Sequence, residues 1–251
     1  MIALTKKEWD SAFFGYPVAA AELADPATLL ADARQARDQA ERTGIRLLTL
    51  FLPAIGPDLR DELRRAGFRD MGGKVDYAKA IAADAGGAPD PEIAPCRVPH
   101  PALERLAFQS GAHSRFRLDD GFRQNEFERL YREWLAGSLA GKDGKCVYVA
   151  GDPAQPQGLV TLEPGAAVRI GLFAVAPERR RQGVGRRLLA AAERFCAERA
   201  AGELRVATQI ENREACLFYE SCGFRRIHAE SIFHAWLPLR AGQASGPGIP
   251  P

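Results

Sequence analysis

The sequence has few residues of the kinds that build disulfide scaffolds or metal sites. Its five cysteines are odd in number and form no Cys-x-x-Cys pair, and its four histidines are scattered without partners at ligand spacing. We therefore expect no disulfide framework and no metal. Long apolar runs are also lacking, because no stretch approaches the roughly 20 residues of a membrane span. These absences predict a cytoplasmic protein without membrane insertion.

A strong excess of charge of one sign is lacking as well. The chain has 34 Lys and Arg against 32 Asp and Glu, a formal net charge of +2. Such a balance gives no overall attraction to nucleic acid or to a membrane surface, so nucleic acid is not expected as a partner. With 251 residues, of which 46% are apolar, the chain can form one large or two small cores.

The stretch Ile170–Arg187 carries the clearest chemical signal. An apolar strand ends at Val175, and Arg180-x-x-Gly183-x-Gly185 then begins a helix. Glycines at these positions leave backbone N–H groups and the positive end of the helix dipole open to an anion. The basic side chains of the stretch are Arg179, Arg180, Arg181, Arg186 and Arg187. A solvated basic helix start is the alternative, but the pattern favours a phosphate site.

A second motif follows at a fixed distance. Residues 204–209 are strand-like, Asn212 can cap the next helix, and that helix carries Tyr219 and ends at Gly223-Phe224. The order strand, Arg-x-x-Gly-x-Gly, helix, strand, Asn-(x)6-Tyr-(x)3-Gly-Phe resembles the GNAT acyltransferase superfamily. The resemblance implies an α/β fold with a mixed central sheet flanked by helices, and acetyl-CoA or a related acyl-CoA as donor.

The same resemblance implies roles for individual residues. The strand ending at Val175 is expected to splay from its neighbour, so that backbone groups pair with the pantetheine and the thioester, and Tyr219 is expected to protonate the departing thiolate. A core aromatic is the alternative for Tyr219. Cys216 or Cys222 as an acyl-carrying nucleophile is disfavoured, because no histidine partner is evident. The implied donor-binding residues are Phe173, Ala174, Val175, Arg180, Arg181, Gln182, Gly183, Val184, Gly185, Arg186 and Asn212.

The N-terminal third repeats part of this pattern. Strand, short helix, Gly-Phe and strand occur at 45–81 and again at 204–237, although any two βαβ pieces share such features. We interpret 1–84 as a smaller, partial GNAT-like domain, 85–97 as a linker, 98–240 as the catalytic domain and 241–251 as a disordered tail. The segment Trp9–Pro17 is expected to be a turn.

Three further segments narrow the acceptor. The motif Trp-Asp-Ser-Ala-Phe-Phe-Gly near the start, the residues around 114–134, and the strands at 169–172 and 204–209 together resemble the TDP-fucosamine acetyltransferases. That family acts on the amino group of a TDP-4-amino-4,6-dideoxy sugar. Arg115, Phe116 and Arg117 are the candidate acceptor-binding residues, because arginines bind a nucleotide-sugar diphosphate well. A solvated loop is the alternative.

The general base and the acceptor class stay open at this stage. A glutamate that is proposed to act as base in the TDP-fucosamine family falls at Gly72 here, with Asp70 nearby, and His113, Asp119 and Asp120 are other candidates. A peptide N-terminus, a polyamine or an aminoglycoside is the alternative acceptor, and a non-catalytic CoA-binding module is the alternative of another class. A homodimer is compatible with this interpretation.

Overall fold

The computed structural model describes residues 2–238, whose contacts divide the chain into two units. The first unit contains the chain up to Lys74, the short segment Asp119–Gly121 and the chain from Ala229. The second unit contains Val75–Leu118 and Phe122–His228. The predicted domain boundary at residue 84 and the predicted linker stay predictions, and the predicted tail from 241 lies outside the described residues.

The described residues form strands and helices in alternation along much of the chain. The strands are β1 (Thr5–Lys6), β2 (Val18–Glu22), β3 (Leu47–Pro53), β4 (Arg69–Ala80), β5 (Ile93–Cys96), β6 (Cys146–Ala150), β7 (Gly158–Glu163), β8 (Val168–Val175), β9 (Glu203–Gln209) and β10 (Arg225–Trp236). The helices are α1 (Glu8–Phe14), α2 (Leu29–Arg42), α3 (Pro57–Arg65), α4 (Pro101–Ser110), α5 (Arg115–Leu118), α6 (Glu126–Leu139), α7 (Val184–Glu198) and α8 (Arg213–Ser221).

The first unit is built on the strand order β1-β2-β3-β10. β2 and β3 are parallel, whereas β10 pairs antiparallel with β3, from Glu230 opposite Pro53 to Trp236 opposite Leu47. Its core combines small residues of α2 with leucines of β3 and with Phe233 of β10. The mixture of parallel and antiparallel pairs agrees with the predicted mixed sheet.

The second unit has the strand order β9-β8-β7-β6-β5. β8 is antiparallel to β7 and parallel to β9. Helix α7 supplies much of the core through Leu188, Leu189 and Phe195, which follow the 3.6-residue period of an amphipathic helix. The predicted linker region contains β5, and Asp90 and Glu92 just before that strand pair with Arg187 of α7.

The internal repeat predicted from the sequence appears in the structure as β3-α3-β4 and β9-α8-β10. Each short helix is followed by a glycine with a positive φ, +85° at Gly67 and +86° at Gly223. The next residue, Phe68 or Phe224, donates its backbone N–H to the helix carbonyl five positions back, that of Leu63 or Tyr219. Leu63 and Tyr219 therefore occupy equivalent positions, as the sequence alignment of the two repeats predicted.

The predicted turn at Trp9–Pro17 is wrong, because these residues begin with helix α1. Trp9 and Phe13 lie one helical turn apart and stack with ring centroids 5.2 Å apart. The Ser11 hydroxyl donates to the Lys7 carbonyl at 2.7 Å, and Gly15 ends the helix with φ +75°. Only Tyr16 and Pro17 then separate Gly15 from β2.

Candidate active site

The candidate site lies where β8 and β9 separate. Their parallel pairing runs from Val168 opposite Leu204 to Ile170 opposite Val206, whereas β8 continues to Val175. On its other side β8 stays paired with β7 as far as Val175 opposite Gly158. The predicted splay of this strand is therefore present, and a gap opens beside the last residues of β8.

The backbone of β8 presents hydrogen-bonding groups to this gap. Ala176 donates its N–H to the Gln157 carbonyl, at 2.8 Å, on the β7 side. Because successive residues of a strand point their backbone groups to opposite sides, the N–H and C=O of Val175 point away from β7. Phe173, two residues earlier, has the same orientation. A β-bulge precedes it, where the buried Thr161 hydroxyl accepts the Leu172 N–H at 2.7 Å.

The N-terminus of α7 lies beyond the end of β8. Gly183 caps this helix with φ +84°, and a Cβ built there would meet nothing within 4 Å. The glycine is thus required for its backbone conformation, and it also leaves open space at the helix start. A Cβ at Gly185 would lie 3.1 Å from the Phe218 ring, so the second glycine permits close packing against α8. The two glycines of the motif serve different purposes.

These elements enclose a cleft with a volume of about 760 Å³. The lining residues come from α4, β8, the loop before α7, the first turn of α7, and α8. They are Gln109, Ser110, Phe173, Ala174, Val175, Arg179, Arg180, Arg181, Gly183, Gly185, Arg186, Asn212, Glu214, Ala215, Leu217, Phe218, Tyr219 and Ser221. The cleft belongs wholly to the second unit.

Most of the residues predicted to bind the acyl donor line this cleft. Asn212 also caps α8 as predicted, since its side-chain oxygen accepts the Ala215 N–H at 3.2 Å. Gln182 and Val184 are not among the lining residues. The Gln182 side chain donates to the Glu178 carbonyl at 2.8 Å, and Val184 is buried in the core.

The charge of the cleft is strongly positive. Its lining includes four arginines and one carboxylate, that of Glu214. Arg180 approaches Glu214 at 3.5 Å, a weak, exposed pair, and Arg186 donates to the Ser221 hydroxyl at 3.1 Å. Arg187 differs from the others, because it donates to Asp90 and Glu92, which raise its pKa. The first of these contacts lowers the pKa of Asp90 to about 2.

Tyr219 lies in an aromatic cluster at the wall of the cleft. Its ring centroid is 5.5 Å from that of Phe218, 5.6 Å from that of Phe224 and 6.1 Å from those of Phe173 and Tyr77. Burial, followed by the nearby thiols of Cys216 and Cys222, raises the pKa of the phenol well above its ordinary value. The hydroxyl therefore keeps its proton throughout the physiological range.

The candidate acceptor residues form helix α5 and do not line this cleft. Arg117 donates to Glu128 at 2.8 Å and lies over the Phe127 ring at 5.2 Å. Arg115 lies over the Phe116 ring at 4.5 Å, and Phe116 packs against Trp134 with centroids 5.9 Å apart. Aromatic packing thus holds the three residues together on one turn.

Two of the candidate bases already have strong partners, both within the first unit. Asp70 accepts from Arg60 at 2.7 Å and from Arg64 at 2.8 Å. The fully buried Asp119 carboxylate contacts His234 and Trp236 as well as Arg69. Burial alone would raise the pKa of Asp119, but the contacts with His234 and Trp236 and the Gly121 N–H lower it below its ordinary value.

The other two candidates are exposed. Asp120 contacts Arg69, and His113 lies in the turn after α4. None of the four residues lines the cleft of the second unit. The assignment of the base stays open.

Sequence reasoning missed several residues of the cleft. Phe218, Ala215 and Ser221 lie one helical turn or less from Tyr219 or Asn212, so the period of α8 could have indicated them. Gln109 and Ser110 come from α4, more than 50 residues before β8, and no sequence pattern connects them to it. Their position depends on tertiary packing alone.

Residues 2–238 bring together no group of three or more His, Cys, Asp or Glu side chains able to hold a metal ion. None of their helices combines the length and apolar character needed to cross a bilayer.

The fold and the cleft define an acyltransferase of the GNAT type. Residues 102–224 match the acetyltransferase (GNAT) family. The chain is 30% identical over 225 residues to the dTDP-fucosamine acetyltransferase of Escherichia coli O6:H1, covering 86% of this chain and 90% of that protein. The protein therefore belongs to the GNAT acetyltransferase family and is an acyltransferase.

Solved structures agree on the fold. A functionally unknown conserved protein from Staphylococcus epidermidis superimposes with a TM-score of 0.61 at 14% identity, over 90% of this chain and 86% of the other. A GCN5-related N-acetyltransferase from Sphaerobacter thermophilus gives a TM-score of 0.53 at 14% identity, over 93% and 76%. At this identity the likeness concerns the fold alone, and it confirms the predicted GNAT fold.

Proposed function

We propose that the protein transfers an acetyl group from acetyl-CoA to the amino group of a nucleotide-linked 4-amino-4,6-dideoxy sugar. The observation that carries the donor half of this proposal is the cleft at the splayed end of β8, which has the α7 N-terminus at one side and Tyr219 in its wall. The thioester and pantetheine of acetyl-CoA match the free backbone edge of β8. Its phosphorylated end matches the positive charge of the cleft.

The donor site divides into two parts by chemistry. Backbone N–H groups at the start of α7, together with Arg180, Arg181 and Arg186, suit the pyrophosphate of the donor. The backbone groups of Phe173 and the N–H of Val175 suit the amides of pantetheine and the thioester carbonyl. The open space at Gly183 leaves room for the phosphate there.

The transfer proceeds by direct attack. The neutral acceptor nitrogen adds to the thioester carbonyl carbon, backbone N–H groups of β8 stabilise the oxyanion, and the carbon–sulfur bond then breaks. The nitrogen loses one proton to the base or to solvent, and the departing thiolate takes one from the Tyr219 phenol; the resulting phenolate regains a proton from solvent, which restores the enzyme. The raised pKa of Tyr219 ensures that this proton is present when the sulfur leaves.

The acceptor assignment rests on the relative that acts, by its name, on dTDP-fucosamine. Arg115 and Arg117 of α5 support it, because a guanidinium group forms charge-assisted hydrogen bonds with phosphate oxygens. Arg117 would exchange its exposed Glu128 partner for a phosphate oxygen, at little cost since exposed pairs are weak.

Two alternatives make different predictions. A GNAT enzyme acting on a peptide N-terminus, a polyamine or an aminoglycoside would use the same cleft but would not need the α5 arginines. A CoA-binding module without activity would bind the donor yet release no thiol. Tyr219, placed in the cleft wall, favours an active enzyme.

The test is a panel of amines with acetyl-CoA, followed by release of free thiol. The panel contains dTDP- and UDP-linked amino sugars, the same sugars without nucleotide, spermidine, and a peptide with a free N-terminus. We expect turnover with a nucleotide-linked amino sugar and much slower turnover with its nucleotide-free form. Equal rates with both forms, or activity on the peptide alone, would reject the nucleotide-sugar acceptor but leave the donor assignment intact.

A further inference from the structure

The side chain of Gln109 reaches the splayed end of β8. Its Nε2 donates to the Val175 carbonyl oxygen at 2.8 Å, although the two residues are 66 positions apart in the chain. Gln109 also lines the cleft. This carbonyl belongs to the part of β8 that has lost its β9 neighbour.

Gln109 is held firmly in this position. It lies in the last turn of α4, a helix whose Leu103, Leu106 and Ala107 are buried. Hydrophobic packing thus fixes the backbone from which the carboxamide extends. A carboxamide has the same donor and acceptor groups as a peptide, so it can replace the hydrogen bond that a neighbouring strand would supply.

We infer that Gln109 is a positioning residue of the donor site. It anchors the Val175 carbonyl on the side from which β9 has withdrawn, and so restricts the backbone of Val175. The N–H of Val175, which also points away from β7, is then held in the orientation that a pantetheine amide requires. The inference rests on the proposed donor site, but it assigns a role to a residue outside the strand and the glycine motif.

The role of Gln109 in the donor site can be distinguished from general support of the fold by the ligands that it affects. Gln109 acts on the pantetheine half of the donor and not on the phosphates, which the start of α7 would bind. Removal of its hydrogen bond should therefore weaken acetyl-CoA binding but leave adenosine 3′,5′-bisphosphate, which lacks pantetheine, unaffected. A loss of overall folding would weaken both.

The experiment compares two variants. Gln109→Met preserves the length of the side chain and removes the hydrogen-bond donor, whereas the ionised carboxylate of Gln109→Glu can only accept hydrogen bonds. Gln39→Met is the matched control, since Gln39 is a half-buried glutamine in the last turn of α2. Calorimetry with the full chain measures the Kd of acetyl-CoA and of adenosine 3′,5′-bisphosphate, and thermal unfolding checks the fold.

We expect Gln109→Met to raise the Kd of acetyl-CoA about 3- to 10-fold, the range for one neutral hydrogen bond. Gln109→Glu should raise it further, while Gln39→Met and the bisphosphate Kd stay at the wild-type value. An unchanged or lowered acetyl-CoA Kd in Gln109→Met would overturn the inference, as would an equal loss for both ligands. Failure of the wild type to bind acetyl-CoA would instead reject the proposed donor site.

Discussion

Burial determines how strongly the hydroxyl of Tyr219 holds its proton. The aromatic cluster around it raises the pKa of the phenol, which preserves the proton but makes the group a weaker acid. The same burial also raises the proton affinity of a thiolate formed beside the ring, so the proposed proton transfer occurs as the carbon–sulfur bond breaks. In that role Tyr219 would contribute to the chemical step and not to binding of the donor.

Tyr219→Phe should therefore slow the chemical step by roughly 10²-fold or more, the usual contribution of a positioned acid. The ring stays in its cluster, so the Kd of acetyl-CoA should not change. Single-turnover rates and calorimetry measure the two effects separately. A rate close to that of the wild type would mean that water protonates the thiolate and that Tyr219 is a core aromatic.

Gly183 allows a second test at the scale of one residue. Gly183→Asp places a side chain and a negative charge in the open space at the start of α7, where the pyrophosphate is proposed to bind. Binding of acetyl-CoA should fall below detection by calorimetry. Gly87→Asp is the control, because Gly87 also has a positive φ, +58°, with nothing within 4 Å of a built Cβ. Equal affinity in the two variants would refute the phosphate site.

At the scale of elements, the segment Asp119–Gly121 is held by a buried carboxylate. Asp119 accepts from Trp236 at 2.7 Å and contacts the His234 ring at 2.6 Å. A Cβ at Gly121 would lie 2.1 Å from the Trp236 indole nitrogen, so only glycine allows this approach. The segment is thus fixed to β10 by both charge and shape.

Asp119→Ala should lower the free energy of unfolding by about 3–5 kcal/mol, because it leaves buried donors without their acceptor. The pKa of Asp119 is lowered on folding, so its contribution exists above the unfolded pKa of about 3.9 and is lost as the pH falls below it. Urea unfolding between pH 3 and 7 tests both points. Asp120→Ala, at the exposed neighbouring position, should cost little, and a similar cost for both variants would contradict the assignment.

The elements that the sequence could predict are those determined by local pattern. The strands β6, β7 and β8 and the start of α7 follow from apolar runs bounded by glycine and proline, and the repeat follows from Gly67 and Gly223, whose left-handed backbone ends each short helix. Contacts between residues far apart in the chain leave no such local pattern in the sequence. Gln109 and the partners of Asp119 are set by packing, and no spacing in the chain indicates them.

At the scale of the whole molecule, contacts divide the chain into two units that are not continuous segments. The segment from Ala229 to the end of β10 belongs to the first unit, and Val75–Ala80 of β4 belongs to the second. A division read from sequence assumes that each unit is one continuous segment. Which unit a strand belongs to depends on the strands with which it pairs, and these partners can lie far away in the chain.

The acceptor is the property of the whole enzyme that most needs a test. If Arg115 and Arg117 bind the diphosphate, replacing both by alanine removes charge-assisted hydrogen bonds of about 1.5–3 kcal/mol each. The acceptor KM should then rise strongly, while the KM of acetyl-CoA barely changes. Free dTDP should inhibit the wild type competitively against the acceptor, and should inhibit the double variant much less.

The control for this prediction is Arg132→Ala. Arg132 resembles Arg117 in exposure, in its ion pair with Glu104 at 3.0 Å and in its position 5.5 Å over the Phe108 ring. It therefore reports the cost of losing an exposed arginine from a helix surface, and its acceptor KM should stay near the wild-type value. A wild-type enzyme that is indifferent to millimolar dTDP and UDP would eliminate the diphosphate site, because a ligand that contributes several kcal/mol through its phosphates must compete when added alone.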